Sequence, residues 1–539
     1  MVIRVNGAYL KENELGLLGR YRIYTDVDRI TPDNIFEVLS QAITIHEINM
    51  QEILFLIRYE KGFQPIEPVR TKVVRDDINI EVADNVANQI VEFKLGYNYG
   101  NPITYVQRGN KDIGGNPPDS DDNAISQLNE MNDSECAYAK DQETLRFVEI
   151  CGIGYQMVDI KRKYDGVSVF DLHVPHPMYT FIVYKNDIGE TPMMGVTFRQ
   201  LQNGDRYFTC YTDDALYEVK NLGEIVNGQF KQRVSWDFAA TYEGYAGEAN
   251  PLGMIPIVEF LRSYDRMGVF ERQISDMNAL NVEVSDFANA TAQACQEIWW
   301  GNDFEFPVDP TTGQVIKPKT GGWVLTRTLA NGKSPLIKPL VSTFDFDNVQ
   351  KNIESKRNSI LQKCYVPLQS DPGGGSTGSA MSLSSGWTAA ENSAMREEQI
   401  IRRSKQKVLE LELAAVKVRS NWLDGSPLID LKLSDIFIKF TRQKTYDLGT
   451  KTNSMVAMIK AGVNGRIAMQ TVDLFADVAQ AWADSKETIE KYQESLVVKK
   501  EDVNIDEKRE TADLTDQTGN SPILDGMNTK SGGDSNDDT

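Results

Sequence analysis

Histidine is scarce in this chain: His46, His173 and His176 are the whole supply. Any serine or cysteine hydrolase that uses a histidine base would have to draw it from these three. Cysteine is scarce as well. Cys136, Cys151, Cys210, Cys295 and Cys364 are odd in number, widely scattered and never spaced Cys-x-x-Cys, which argues against a disulfide framework or a zinc site. They read as reduced and mostly buried. No run approaches the roughly 18 apolar residues of a membrane-spanning helix. The opening Met1-Val-Ile-Arg-Val-Asn lacks the basic and then apolar pattern of a secretory signal, so assembly in the cytoplasm is expected. Positive charge is also in deficit, 57 Lys and Arg against 78 Asp and Glu, for a net charge of −21. Such a chain repels a polyanion at long range, which disfavours a tight sequence-reading DNA binder. A surface past which DNA slides without sticking tolerates the same balance.

What is present is enough for several folding units, since 539 residues exceed a single hydrophobic core. Residues 1–265 mix helical and strand patterns, an α+β reading. Thr31 before Pro32 looks like an N-cap ahead of a first-turn proline. From 155 to 260, alternating runs separated by Asp-Gly, Asn-Asp and Asn-Gly predict one antiparallel sheet region. Residues 110–122, rich in Gly, Pro, Asn and Asp, predict an exposed loop. Phe270, Ile274, Met277, Val284, Phe287, Ala294 and Ile298 then recur at helical spacing, predicting a long helix over about 269–296. A small β unit is expected at 299–342 and a second helix at 345–363. The glycine-rich run 370–379 has maximal backbone freedom. A third, very long helix is expected over 380–419, a strand at 436–440, and helices around a Gly462–Gly465 turn. The tail 501–539 carries eleven acidic against three basic residues and is expected to be disordered.

Apparent catalytic motifs dissolve when their chemistry is followed. Gly374-Gly-Ser-Thr-Gly378 has the nucleophile-elbow spacing, yet every histidine lies upstream of Ser376. Arg327 stands where the first glycine of a Walker A loop would have to be, and Met157 where a dinucleotide fingerprint needs glycine. His173-Val-Pro-His176 fits a strand end better than a metal site. Neither a cofactor nor a metal is expected. On the second helix, Lys356 and Lys363 are seven apart on one face and Lys351 lies on another. On the third, Arg396, Arg402, Arg403, Lys405 and Lys407 alternate with Glu397, Glu398, Glu410 and Glu412, a pattern suited to salt-bridged subunit contacts.

The order of elements, together with the stretch Asn88–Tyr105, the helix 144–155 ending Gly-x-Gly-Tyr, the strand Pro175–Asp187, the strand Gly253–Phe260 and the helix Ser275–Phe287, resembles the portal (connector) proteins of tailed double-stranded DNA bacteriophages, in particular the branch of long-tailed phages of Gram-positive hosts. The resemblance covers about residues 80–490. It implies an α+β portal fold: a mixed wing over 1–265, β-rich at 155–262; stem helices at 268–296 and 345–366; a clip containing strands at 297–344; a tunnel loop at 370–379; a long wing helix at 380–420; a helical crown at 421–496; and an acidic tail at 497–539. It implies no catalysis but a ring, expected to be a dodecamer, at one capsid vertex of the virion. Such a ring channels double-stranded DNA during packaging and ejection without reading sequence. Expected partners are the terminase large subunit, a head-completion adaptor, and the major capsid and scaffolding proteins, with no membrane involved. Channel candidates are Lys351, Lys356 and Lys363 as contacts and Glu271, Asp276, Glu283 and Asp286 as repelling acids. Gly373, Gly374, Gly375, Ser376, Thr377 and Gly378 would form the tunnel loop. Trp299, Trp300, Trp323 and Arg327 are clip docking candidates. The rival readings are a head-processing hydrolase using Ser376 and another ring-shaped neck adaptor.

Overall fold

The computed structural model describes residues 19–66, 78–107, 121–226, 229–240, 247–295, 298–302, 308–314, 336–340, 345–368, 386–442, 448–472 and a few positions between 482 and 491. The chain divides into two compact units, residues 1–443 and 444–539.

In the first unit, β1 (Ile23–Thr25) leads to α1 (Ile35–Glu60). Ile35, Val38, Leu39, Ala42 and Ile43 bury one stripe of α1, spaced by three and four as a one-sided helix requires. The expected cap at Thr31 is corrected: the helix starts after Asn34, and Thr31 and Pro32 belong to a turn in which Asn34 Oδ1 accepts from the Thr31 amide at 2.8 Å. The asparagine ties down that turn, so the chain enters the helix three residues later than the proline suggested. α2 (Val86–Tyr99) is capped by Asn85, whose side chain accepts from the Asn88 amide. After β2 (Thr104–Gln107) come α3 (Asp121–Ser134) and α4 (Ala137–Cys151). α4 stops at Gly152 with φ of 79°, where any Cβ would sit 2.4 Å from the Arg266 carbonyl. The Gly152-Ile-Gly154 motif is thus a helix stop packed on a strand.

The β-rich region is two sheets rather than one. β5 (Thr180–Lys185), β6 (Pro192–Gln200), β7 (Arg206–Tyr211), β8 (Ala215–Val226), β9 (Gln229–Phe238) and β10 (Gly247–Ala249) join β1 in a seven-stranded sheet of order β1-β5-β6-β7-β8-β10, with β9 also on β8. β1 pairs in parallel with β5. A separate antiparallel sheet has the order β11-β3-β4, from β3 (Ile153–Ile160), β4 (Phe170–His173) and β11 (Ile257–Leu261). The division follows burial. β3 is buried at nearly every position, packed against α4 and a later helix, whereas β7 alternates. Along β5 the alternation decides two environments: Phe181 and Val183 join a core with Ile35, Leu39 and Ile43 of α1, while Ile182 and Tyr184 face the larger core with Ile257 and Phe260.

α5 (Ile274–Cys295), preceded by a short 3-10 turn at Glu271–Gln273, leads to β12 (Ile298–Asn302), which pairs antiparallel with β13 (Leu336–Leu340). α6 (Phe346–Lys363) follows, capped by Asp345 on the Asn348 amide. α7 (Trp387–Val418) is 32 residues long, about 48 Å at 1.5 Å per residue. β14 (Ile436–Lys439) returns to pair with β2. In the second unit, α8 (Leu448–Lys460) and α9 (Gly465–Val472) are separated by a turn in which Gly462 takes φ of 88°. The run 370–379, the start of the third helix before 386, and the tail from 497 lie outside the described residues.

Candidate channel helices and the cleft beside them

α5 and α6 form an antiparallel pair. Lys363 bonds Asp276 at 2.5 Å, Lys356 bonds Glu283, and Phe287 meets Phe346 edge-on at 5.9 Å near the β12 end. Seven residues separate the two lysines and seven separate the two acids, so both rungs fall on one seam. The candidate DNA contacts and the candidate repelling acids therefore neutralise each other in pairs. Asn352 adds a bond to Glu283 at 3.4 Å. Lys351 is exposed on α6 and Asp286 half-buried on α5. Glu271 is corrected: it is 2% exposed, ion-paired to Arg20, and accepts from the Gly268 amide at 2.8 Å. A carboxylate so enclosed faces no channel. Burial works against the Arg20 charge, but Glu271 and Glu52 more than reverse this and raise its pKa. Trp299 and Trp300 sit on β12 opposite Pro339 and Lys338. Trp323, Arg327 and the residues 373–378 lie outside the described residues.

The opposite side of α5 carries a neutral ladder. Asn281, Ser285 and Asn289, each four residues apart, hold an extended segment at residues 80–84 by its backbone. Asn289 Oδ1 accepts from the Ile80 amide at 2.8 Å and Asn289 Nδ2 donates to its carbonyl at 3.0 Å. Ser285 Oγ accepts from the Val82 amide, and Asn281 Oδ1 accepts from the Asp84 amide at 2.9 Å. The match is metric: four helical residues rise about 6.0 Å and two extended residues about 6.6 Å. Met277, one turn before Asn281 on this stripe, offers only a weakly accepting thioether, so the segment cannot slip one rung toward the start of α5 without exchanging a strong bond for a weak one.

α7 buries charge. Glu397, Lys405 and Glu412 are all nearly enclosed, on the stripe shared with Ala390, Ile401 and Val408. This corrects part of the expectation for α7: these three charges are internal, and Arg402 pairs within its own chain with Glu398. Arg262 bridges Glu149 at 3.2 Å and Glu397 at 2.8 Å, while Lys94 donates to Ser393 at 3.1 Å and Asn98 to Glu397 at 2.8 Å. Burial and then the neighbouring Glu397 push the Glu149 carboxyl up. For Glu397 burial acts in the same sense, but Arg262 and Lys94 outweigh it and hold the group low. Two turns on, Lys405 donates to Asp141 at 2.8 Å and Asn132 to Glu412 at 3.2 Å. Burial pushes Glu412 up to about 7, with Lys405 opposing. Ser404 donates to the Glu259 carbonyl at 2.8 Å, which ties α7 to β11.

Beside α7 opens a cleft of about 1330 Å³. Its walls are the exposed face of α7, the segment after β11 and the β5–β6 turn, including Arg396, Arg403, Lys407, Tyr264, Tyr365 and Glu190. A sequence-family profile described as phage portal protein, SPP1 Gp6-like, matches residues 54–495. The chain belongs to the phage portal protein family. No curated protein matches the sequence. As a portal-family chain it is a component of a tailed-phage virion, and its α+β fold is that of the family.

The remaining motifs of this portal chain have structural explanations. His46 is buried, its Nε2 3.0 Å from the Met178 carbonyl, and burial lowers its pKa to about 4. His176 packs on Phe147 and Tyr179, and its Nδ1 accepts from the Met178 amide. His173 ends β4. Among the described residues no group of metal-ligating side chains comes together, and no helix is long and apolar enough to cross a membrane. Cys151, Cys210 and Cys364 are buried free thiols, and burial raises the pKa of all three. Cys136 is exposed.

Proposed function

We propose that this chain forms a ring, a dodecamer in the virion, at one capsid vertex, where it conducts double-stranded DNA during packaging and ejection and docks the terminase large subunit and then a head-completion adaptor. On this reading α5 and α6 are the stem, β12 and β13 belong to the clip, the run 370–379 is the tunnel loop, α7 crosses the wing, and residues 421–496 are the crown. Capsid and scaffolding proteins surround the ring, which assembles in the host cytoplasm and performs no covalent chemistry of its own.

The observation that carries this reading is the exposed face of α6. Lys351, Ser355, Asn358, Ser359 and Gln362 recur on one side of the helix and are all exposed, while the charged neighbours Lys356 and Lys363 are occupied by acids of α5. Apart from Lys351 these are uncharged polar groups, which offer DNA neither ion pairs to hold it nor apolar patches to trap it. A channel wall with that chemistry lets phosphates pass. Replacing Ser355 and Asn358 by Lys adds two cations per subunit to this face. In a packaging assay with assembled procapsids, translocation is expected to slow, and added salt to restore it. Packaging at an unchanged rate at low salt would contradict a channel-facing α6.

A further inference from the structure

The cleft beside α7 has features that its own chain leaves unused. Arg396, Arg403 and Lys407, followed by Glu410, form an exposed stripe on its α7 wall; Arg396 lies over the Tyr365 ring, and none of the three cations is ion-paired among the described residues. Ile188, in the β5–β6 turn next to the cleft-lining Gly189, is fully exposed, and Tyr264 in the lining is 76% exposed. Strain gathers here too. Four described residues other than glycine have positive φ; Glu190 (45°) and Tyr365 (59°) line the cleft, and Arg266 (56°) pairs with Glu259 in its lining. Left-handed backbone at side-chain-bearing residues persists where surrounding structure imposes it, which is commonest at binding sites.

The lobe that bounds the cleft has two faces. Ile182 and Tyr184 of β5 line the cleft, while Phe181 and Val183 point the other way, into the core under α1. The outer surface of α1 therefore lies on the far side of the same lobe. That surface is acidic and polar: Asp33, Glu37, Gln41 and Thr44 are exposed at successive turns. The cleft lining as a whole sets six basic residues against six acidic ones, but the Arg396–Arg403–Lys407 stripe on its α7 wall is locally cationic. That stripe, together with an acidic helix on the far side of the lobe, supplies the two unlike patches that a head-to-tail, ring-closing contact requires.

We propose that the cleft seats a second copy of this chain, the α1 face of one subunit entering the cleft of the next, with Asp33 and Glu37 meeting Arg403 and Lys407. The assignment rests on the ring reading above and adds the surfaces that close the ring. A small molecule is a poor occupant, because the cleft is open and exceeds the roughly 300–1,000 Å³ of ordinary ligand pockets.

The test uses two full-length charge-reversed variants, R403E/K407E and D33K/E37K, with native mass spectrometry to count subunits and circular dichroism to confirm folding. All four positions are exposed, so both variants should fold. Wild-type protein is expected to form rings, each variant alone to lose them by at least tenfold in ring fraction, and an equal mixture to recover rings that alternate the two variants. Rings of R403E/K407E at the wild-type fraction would overturn the proposal, as would a mixture that fails to recover. A wild type that never forms rings would instead overturn the ring reading beneath it. As a second measurement, carbodiimide treatment of rings mixed from light and isotopically heavy wild-type subunits should link Lys407 to Asp33 or Glu37 in light–heavy pairs. Links in light–light and heavy–heavy pairs only would contradict the seat.

Discussion

The α5–α6 seam and the α7 stripe both match acid to base, and they do so in opposite environments. On the seam, Lys356, Glu283, Lys363 and Asp276 are each between 31% and 49% exposed, and water competes for every bond. Along α7, Glu397 and Lys405 are at most 8% exposed and bond to α2, α4 and the segment after β11. Exposed pairs contribute about 0–1 kcal/mol each. Buried pairs contribute little net stability, yet removing one partner costs about 3–5 kcal/mol because the other charge is left enclosed. The seam can therefore rearrange cheaply, whereas α7 is locked in position by groups that must all be present. Under the proposed function, in which α5 and α6 are the stem and α7 crosses the wing, that contrast would let the stem adjust to passing DNA while the wing keeps the ring in register.

The largest expected effect comes from breaking the lock. Arg262→Leu leaves Glu149 and Glu397 buried against each other and should cost about 3–5 kcal/mol in urea unfolding. Replacing Arg262, Glu149, Glu397 and the buried Lys94, which also pairs with Glu397, together by apolar residues of similar size should recover most of the loss, and failure to recover would show that Arg262 acts otherwise than by neutralising that pair. Next is the neutral ladder. Asn289→Ala orphans both the amide and the carbonyl of Ile80 and should cost about 1–3 kcal/mol, with faster hydrogen exchange at residues 80–84.

Glu412 sharpens the comparison through pH. In the unfolded chain its carboxyl ionises near 4.5, whereas in the fold burial holds it at about 7. Between those values the folded protein keeps a proton that the unfolded chain has released, so this group makes stability fall as pH rises through the window and level off above it. Glu412→Gln, still facing Lys405, Asp141, Asn132 and Tyr105, should flatten that slope, gaining up to about 3 kcal/mol at pH 8 relative to pH 5. His46 works in the reverse direction: neutral in the fold down to about 4, it withdraws stability as pH falls below 6.5. The smallest effect belongs to the seam. Lys356→Met should change stability by about 0–1 kcal/mol, less still at high salt, as read from thermal midpoints.

How much of this was legible in the sequence follows from the range of the interactions. α5, α6, β14 and the Gly462 turn appear near their expected places because periodicity, caps and glycines act locally. α5 begins at Ile274 rather than near 269, since the chain turns through Glu271–Gln273 first. The pairings were not legible. Lys356 and Lys363 find acids 73 and 87 residues away, and no local pattern announces which face of α6 meets α5. The burial of Glu271 depends on Arg20, 251 residues distant. The parallel edge β1 is three residues long, too short to show alternation. On α7 the alternation of charges reads as salt-bridged subunit contacts throughout, yet the stripe through Glu397, Lys405 and Glu412 coincides with the apolar one. A position-by-position count of helical phase would have flagged those three.

The most direct test of the account is electron microscopy of the purified full-length protein, counting rotational symmetry. A closed ring of twelve or thirteen subunits around a central channel, with α6 on its inner wall, is the predicted result. Monomers alone, at high concentration and with scaffolding protein present, would contradict it.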